Sequence, residues 1–274
     1  MAEHEWQPPT GVDTSSPNLA RVYDSLLGGK DNFEVDRELH RQLEQLVPEI
    51  GDVARENRKW LGRAVRWLVR VAGVDQFLDL GSGLPTTQNT HEIAQAVDPD
   101  SIVVYVDNDP TVIAHGRVLL DDNDRSFFCP GDLADPAAVF DHPVVKEHLD
   151  LDRPIGLLHG LTLHHIAELE RAQQVMVGYV ERLPVGSYVA MSNIGRPAED
   201  SPEAGRVFEG VERLREIAGG FTLRSHDELA TLLPGLEPVE PGLAVASDWW
   251  PEGPRPDRLP YALTLLVAGV ARKA

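Results

Sequence analysis

At 274 residues the chain is long enough for one large domain or two small ones, and 42% hydrophobic and 25% charged residues are ordinary for a globular protein with a sizeable core. Its 44 acidic residues outweigh 25 basic ones, giving a formal net charge of −19; such a surface repels phosphate backbones and argues against DNA or RNA as a substrate. The single cysteine, Cys129, excludes an intrachain disulfide, fits a reducing cytoplasm, and reads as a small core residue closing an apolar run.

Residues 1–16 are polar, contain proline and glycine, and read as a disordered tail with no apolar stretch of signal-peptide length. Ser16 and Pro17 then look like an N-cap followed by proline at the first helical position. Leu19, Val22, Tyr23, Leu26 and Leu27 recur at the spacing of one helical face, and Gly28-Gly29 stops that helix. The same periodicity predicts helices over 34–47 and 52–72, the latter stopped by Gly73. From Asp75 the pattern alternates. Strands are predicted at 76–80, 102–106, 126–129, 155–158 and 187–192, with helices over 87–97, 110–120 and 167–182 between them. Helices near 203–218 and 226–233 precede a sixth strand around 236–240 and a seventh at 262–270. Strands separated by helices imply right-handed crossovers and a mostly parallel sheet. The last two strands are joined by a Pro/Gly/Trp-rich loop without helical pattern and read as an antiparallel hairpin. The run 262–270 is far too short to span a bilayer. The chain reads as one cytoplasmic domain without membrane association, and homo-oligomerisation stays open.

Four segments carry chemistry. In Phe77-Leu78-Asp79-Leu80-Gly81-Ser82-Gly83 a strand runs into a glycine turn that lets backbone N–H groups approach a ligand, although a plain tight βα turn would look the same. The third glycine of the dinucleotide fingerprint is missing, and Asp79 sits where a pyrophosphate would be repelled but a cationic amine and sulfonium attracted. After the second strand, Asp107 can take both ribose hydroxyls of an adenosine or cap the helix opened by Pro110, a job that Asp109 already fits. After the third, Asp132 and the backbone of Leu133 can meet an adenine edge, or simply form a turn. After the fourth stands His159-Gly160-Leu161-Thr162-Leu163-His164-His165. Adjacent histidines point apart, and no partner shows ligand spacing, so no metal is expected.

Together "FLDLGSG", "VVYVDNDP", "GDLADP" and "LLHGLTLHH" resemble the successive cofactor loops of class I S-adenosylmethionine-dependent methyltransferases. More closely, the chain resembles the S-adenosyl methyltransferase family of actinobacterial genomes, formerly catalogued as a domain of unknown function. The opening "PNLARVYDSLLGGKDNFEVDRE" resembles that family's most distinctive signature, and "VEPGLAVASDWWP" its late loop before the final strand. The likeness covers about residues 17–270; the opening signature is specific, whereas the glycine loop is common to many families.

This resemblance implies an α/β, Rossmann-like, seven-stranded and mostly parallel sheet with a terminal antiparallel β-hairpin, residues 17–73 forming a helical lid over a core of 74–274. It implies S-adenosyl-L-methionine as methyl donor and S-adenosyl-L-homocysteine as product but leaves the acceptor open; the acidic composition is what points to a small molecule. Asp79, Gly81, Ser82 and Gly83 would hold the methionine portion, Asp107 and Asn108 the ribose, and Asp132 and Leu133 the adenine. His159 and Gly160 would face the methionine end. Tyr23 alone fits a core position, but the polar Lys30-Asp31-Asn32 cluster after the double glycine reads as a loop closing on the cofactor, with Tyr23, Lys30 and Asn32 as contacts. His164 or His165 is the candidate base for the acceptor, since imidazole titrates near neutrality, while hydrogen bonding or packing is the stronger reading of at least one of them. Trp249 and Trp250 fit either the wall of an apolar substrate pocket or loop packing. A rival reading is a catalytically silent regulator that binds the same cofactor; a nicotinamide-dependent oxidoreductase is disfavoured by Asp79 and the incomplete glycine fingerprint.

Overall fold

The computed structural model describes residues 13–85, 88–119, 123–218, 220–253 and 258–274. Three helices open it: α1 (Leu19–Leu26), α2 (Glu34–Leu46) and the 21-residue α3 (Ile50–Arg70). The N-cap of α1 is Asn18 rather than Ser16. Its side chain accepts from Arg21 N at 3.2 Å while its own N–H is taken by Asp36 Oδ1 at 2.9 Å, which fixes the chain in an extended form up to Asn18. Most of the tail read over 1–16 lies outside the described residues. Its last part is tied down: the carbonyls of Asp13 and Ser16 accept from the buried Arg21 guanidinium at 2.8 and 2.7 Å.

Alternation then builds the sheet. Strands β1 (Gln76–Leu80), β2 (Ile102–Asp107), β3 (Ser126–Pro130), β4 (Gly156–Gly160) and β5 (Tyr188–Ile194) run parallel in the order β3-β2-β1-β4-β5. The connections carry α4 (Thr90–Gln95), α5 (Pro110–Leu119), α6 (Pro136–Asp141), α7 (Pro143–His148) and α8 (Leu169–Arg182). After α9 (Ala204–Ala218) and α10 (His226–Ala230) come two short pieces, β6 (Glu237–Pro238) and β7 (Ala244–Val245), then α11 (Tyr261–Thr264) and β8 (Leu266–Arg272). β8 pairs antiparallel with β5 on one side and with β6 and β7 on the other. The expected sixth strand is thus one sheet position split in two. Pro241 has no N–H to give the ladder, and Gly242 turns the chain at φ +82°, its carbonyl so close over Gly269 that a Cβ there would sit at 2.8 Å. Helices α6 and α7 were not anticipated. Each opens with proline after a capping side chain, Asp135 accepting from Ala138 N at 3.0 Å and His142 Nδ1 from Val144 N at 3.2 Å.

Side chains of successive strand residues alternate between two cores. Phe77, Val103, Tyr105 and Leu158 pack with Trp60, Leu61, Val65 and Leu68 of α3. Leu78, Leu80, Val104, Val106 and Leu157 pack with the α6–α8 layer, where Cys129 is buried and burial pushes its thiol up to about 11. A third cluster joins Val22, Leu26, Leu39, Leu43 and Ala54 of the opening helices to Leu214 and Ile217 of α9. No helix among the described residues is long and apolar enough to cross a membrane. Because β1 pairs with both β2 and β4, strand order reverses there, and the crevice outside the C-terminal ends of those strands is where open α/β sheets take ligands.

Candidate functional site

A cleft of about 730 Å³ lies at that reversal point. Its floor is the glycine turn after β1. Gly81 and Gly83 both sit at φ +66°, a conformation other residues resist, and a Cβ on Gly81 would meet Thr162 Cγ2 at 2.6 Å. Among the described residues nothing lies within 4 Å of where a Gly83 Cβ would be, so the turn is open to the cleft at that point. The hydroxyl of Ser82 is buried without a hydrogen-bond partner among the described residues.

Two carboxylates flank the turn. Asp79 is 6% exposed and accepts from Thr90 Oγ1 at 2.7 Å. Burial pushes its pKa up to about 6, against the pull of the Thr90 hydroxyl and the Arg58 charge and with a push from Asp107. Asp107 Oδ2 accepts from Gly83 N and Oδ1 from Asp109 N, both at 2.9 Å; burial also raises this carboxylate, with those N–H groups opposing. Asp109 caps α5 through Thr111 N at 2.7 Å. Further along, Asn108 and Asp132 are exposed on the cleft wall. Asp132 Oδ1 accepts from Ala134 N at 2.8 Å, and the carbonyl of Leu133 accepts from Tyr179 Oη at 2.9 Å.

The opposite wall comes from the opening helices. Tyr23 Oη donates to Ala54 O at 3.1 Å and accepts from Asn57 Nδ2 at 2.9 Å. Asn57 Oδ1 in turn accepts from Ser192 Oγ at 2.6 Å, and Ser192 Oγ from Leu161 N at 3.1 Å. One hydrogen-bonded chain thereby ties α1 to α3, β5 and the β4 loop, where Leu161 is held at φ +59° beside Gly160. Asn18 Nδ2 bonds Asp109, joining the start of α1 to the start of α5. Burial raises the Tyr23 phenol, with Asn57 opposing.

The third wall is the histidine loop. His164 is buried, with Nδ1 3.2 Å from Asn193 Oδ1 and Nε2 3.1 Å from His165 Nε2. His165 reaches solvent through the cleft but is hemmed in by His164 and Phe221, whose ring centroids lie 4.3 and 5.6 Å away. Burial holds His164 well below the ordinary imidazole range, with the neighbouring His165 adding to the effect; burial lowers His165 as well. The loop is clamped by buried Arg224, which donates to Leu163 O at 2.9 Å and to Ile166 O.

Not every residue singled out above reaches the cleft. Lys30 is exposed away from it, and Asn32 clips its own loop: Nδ2 donates to Asp24 Oδ2 at 2.8 Å and Gly29 O at 3.1 Å. Gly29 is required there because a Cβ would lie 1.9 Å from Asp24 Oδ1. His159 points into the α8 core, fully buried, with Nδ1 2.9 Å from Thr162 Oγ1 and its ring edge-on to Tyr179; burial lowers its pKa to about 3. Trp249 is wholly buried against Trp60 and Trp67, and Trp250 is 48% exposed with Nε1 on Glu240 O, so neither lines the cleft. Conversely, Asn18, Asn57, Arg58, Thr162 and Phe221 line it and were not anticipated. Asn57 and Arg58 stand four and three residues before Leu61, on the same face of α3 as its buried stripe, and a polar residue on an apolar face is the signal that could have found them. Among the described residues no cluster of His, Cys, Asp or Glu could hold a metal ion.

An unpartnered buried hydroxyl on the turn, open space over Gly83 and two desolvated carboxylates fit a ligand that brings hydroxyl and ammonium donors of its own. The family model described as S-adenosyl methyltransferase matches residues 5–274. A candidate methyltransferase from Thermobifida fusca YX is 41% identical, covers 97% of this chain and 98% of its own, and superposes with a TM-score of 0.90. A DUF574 family protein from Streptomyces avermitilis is 37% identical over 96% of this chain and 99% of its own, with a TM-score of 0.89. An O-methyltransferase family 2 protein from Planctomyces limnophilus shares the fold at 13% identity and a TM-score of 0.50, over 92% of this chain and 65% of its own. No curated protein matches the chain.

Proposed function

The chain belongs to the S-adenosyl methyltransferase family and is an S-adenosylmethionine-dependent methyltransferase, and from that premise we propose how its cleft divides the work. The observation that carries the reading is the convergence of the Gly81–Gly83 turn with carboxylates from the ends of β1, β2 and β3 on one cleft. In this reading Asp79, Ser82 and the turn hold the methionine portion of S-adenosylmethionine, Asp107 and Asn108 the ribose, and Asp132 with Leu133 the adenine. Tyr23 closes the cleft from α1. The bound cofactor supplies a methyl group on a sulfonium, open to in-line displacement.

This chain contributes positioning, desolvation and a proton acceptor. Gly160 and Thr162 border the glycine turn, and beyond them the cleft turns apolar, with Leu26, Ile50, Val53, Leu214, Ile217 and Phe221 on its walls. That half takes the acceptor, a small apolar molecule with one nucleophilic heteroatom. His165, backed by His164 and Asn193, stands at the junction. Burial keeps the pair neutral and disfavours the imidazolium, so a proton that the heteroatom releases to His165 passes on to solvent rather than staying on the ring. The net charge of −19 argues against nucleic acid as the acceptor, and the lone buried thiol fits a cytoplasmic protein. In this reading residues 17–274 act as one domain, α1 and α2 covering the sheet. Calorimetry with S-adenosylmethionine, S-adenosylhomocysteine and NAD tests the assignment: both adenosyl ligands bind and NAD does not. Tight NAD binding with neither adenosyl ligand bound overturns it.

A further inference from the structure

We propose that Arg58 is the residue that receives the α-carboxylate of the cofactor, an inference that rests on the reading of the cleft above. Arg58 follows Asn57 on α3, so its side chain leaves the helix beside the one that anchors Tyr23. It lines the main cleft and also the small pocket behind the glycine turn, together with Asp79, Ser82 and Gly83.

Its bonding is incomplete. One nitrogen, Nη2, donates to Gln88 O at 2.8 Å, and Gln88 is held at φ +63° to present that carbonyl. Among the described residues the guanidinium has no other hydrogen bond and no ion pair. Three other arginines of the same helix do: Arg55 holds Asp52, Arg63 holds Glu56 and Arg66 holds Glu252. In a chain of net charge −19, a half-buried arginine that faces a cleft without a carboxylate on it is a cation kept for something else.

The chemistry of the expected ligand supplies the missing partner. An amino-acid end carries an ammonium and a carboxylate on one carbon. Asp79 offers the ammonium a buried anion, and Arg58, whose charge reaches Asp79 across the turn, offers the carboxylate a planar fork with Nε and Nη1 still uncommitted. The pair reads both charges of a zwitterion from opposite sides. A neutral or purely nucleotide ligand leaves both groups uncompensated.

Two ligands separate this role from a structural one. S-adenosylhomocysteine carries the amino-acid end; 5′-methylthioadenosine keeps the adenosyl thioether and lacks it. Calorimetric titration of both into wild-type, Arg58→Gln and Arg58→Lys protein gives a clean comparison. Arg58→Gln is expected to weaken S-adenosylhomocysteine about 10–100-fold, the size of losing hydrogen bonds to a charged group, and to change methylthioadenosine less than about threefold. Retained methylthioadenosine binding certifies the fold. Arg58→Lys keeps the charge without the fork and is expected to fall between the two. Equal weakening of both ligands, or no change in either, overturns the assignment while leaving the cleft reading intact. Wild-type protein that binds neither ligand overturns the cleft reading, and this assignment with it.

Discussion

Asp79→Asn is expected to make the ligand-free protein more stable and the cofactor complex weaker. Burial raises the Asp79 pKa from 3.8 to about 6, a difference worth about 3 kcal/mol at about 1.4 kcal/mol per pH unit. The sign follows from the proton balance. The folded protein holds this proton more tightly than the unfolded chain, so folding takes up a proton between pH 3.8 and about 6. The group therefore costs nothing below pH 3.8, and stability is lost as pH rises through about 6. Asparagine can still accept from the Thr90 hydroxyl, which reaches the carboxylate at 2.7 Å, but carries no charge to desolvate. At pH 7.5 the variant should gain about 1–3 kcal/mol, a rise of several degrees in Tm for a chain of this length. The gain, measured as variant minus wild type by scanning calorimetry across pH 4–7.5, should shrink toward zero at the acid end. Titration with S-adenosylhomocysteine at pH 7.5 should show about 10–100-fold weaker binding, since the ammonium has lost its counter-charge. A variant that is less stable than wild type at pH 7.5, or a stability difference that does not change with pH, refutes the argument.

Asp107→Ala should weaken S-adenosylhomocysteine by about 1.5–3 kcal/mol in the same titration, with helix content by circular dichroism unchanged because Asp109 still caps α5. Gly81→Ala places a methyl 2.6 Å from Thr162 Cγ2 at a left-handed φ and should cost about 1–3 kcal/mol in urea denaturation; adding Thr162→Ser, which removes that methyl group, should recover the steric share. Hydrogen exchange over residues 17–33 should slow when S-adenosylhomocysteine saturates the protein, because Asn18 and Tyr23 face the cleft; identical protection with and without it would make the segment plain scaffold.

The sequence was most legible where one residue has one local job. Asp109 caps α5 and Asp107 faces the cleft, a division that adjacent acids before a proline already suggest. The glycine turn is equally plain, since two left-handed positions one residue apart leave little but glycine. Legibility failed where a partner lies far along the chain. Asn57 reaches Ser192 across 135 positions and Arg58 reaches the glycine turn over Gln88, neither of which helical periodicity can see. Lys30 and Asn32 failed for the opposite reason. A polar cluster after two glycines resembles a ligand loop, but Asp24, buried on α1, takes the Asn32 amide and the Asp31 N–H for itself. The openings of α6 and α7 were written in Asp135-Pro136 and His142-Pro143, a cap followed by proline, but each helix is only six residues long and offers too little periodicity to register.

The distribution of strain across the cleft bears on the lid role proposed for the opening helices. The sheet-side wall carries two desolvated carboxylates, an orphaned Ser82 hydroxyl and a left-handed Leu161. On the lid side the polar groups of α1 are matched. Arg21 meets Asp36 at 2.8 Å and two carbonyls besides, Asp36 also takes Asn18 N and Phe33 N, and Tyr23 both donates and accepts. A segment that only filled space would need no such network, because Val22, Leu26, Leu39 and Leu43 already bury its apolar face. What the polar bonds add is orientation: they hold Asn18 and Tyr23 at fixed positions on the cleft wall before a ligand arrives. In the proposed reading the partly desolvated Asp79 and Asp107 then favour a ligand that carries a positive charge at one end and hydroxyls in the middle. In the proposed reading Arg21, bonded to Asp36 and to the carbonyls of Asp13 and Ser16, supports recognition only through the placement of α1.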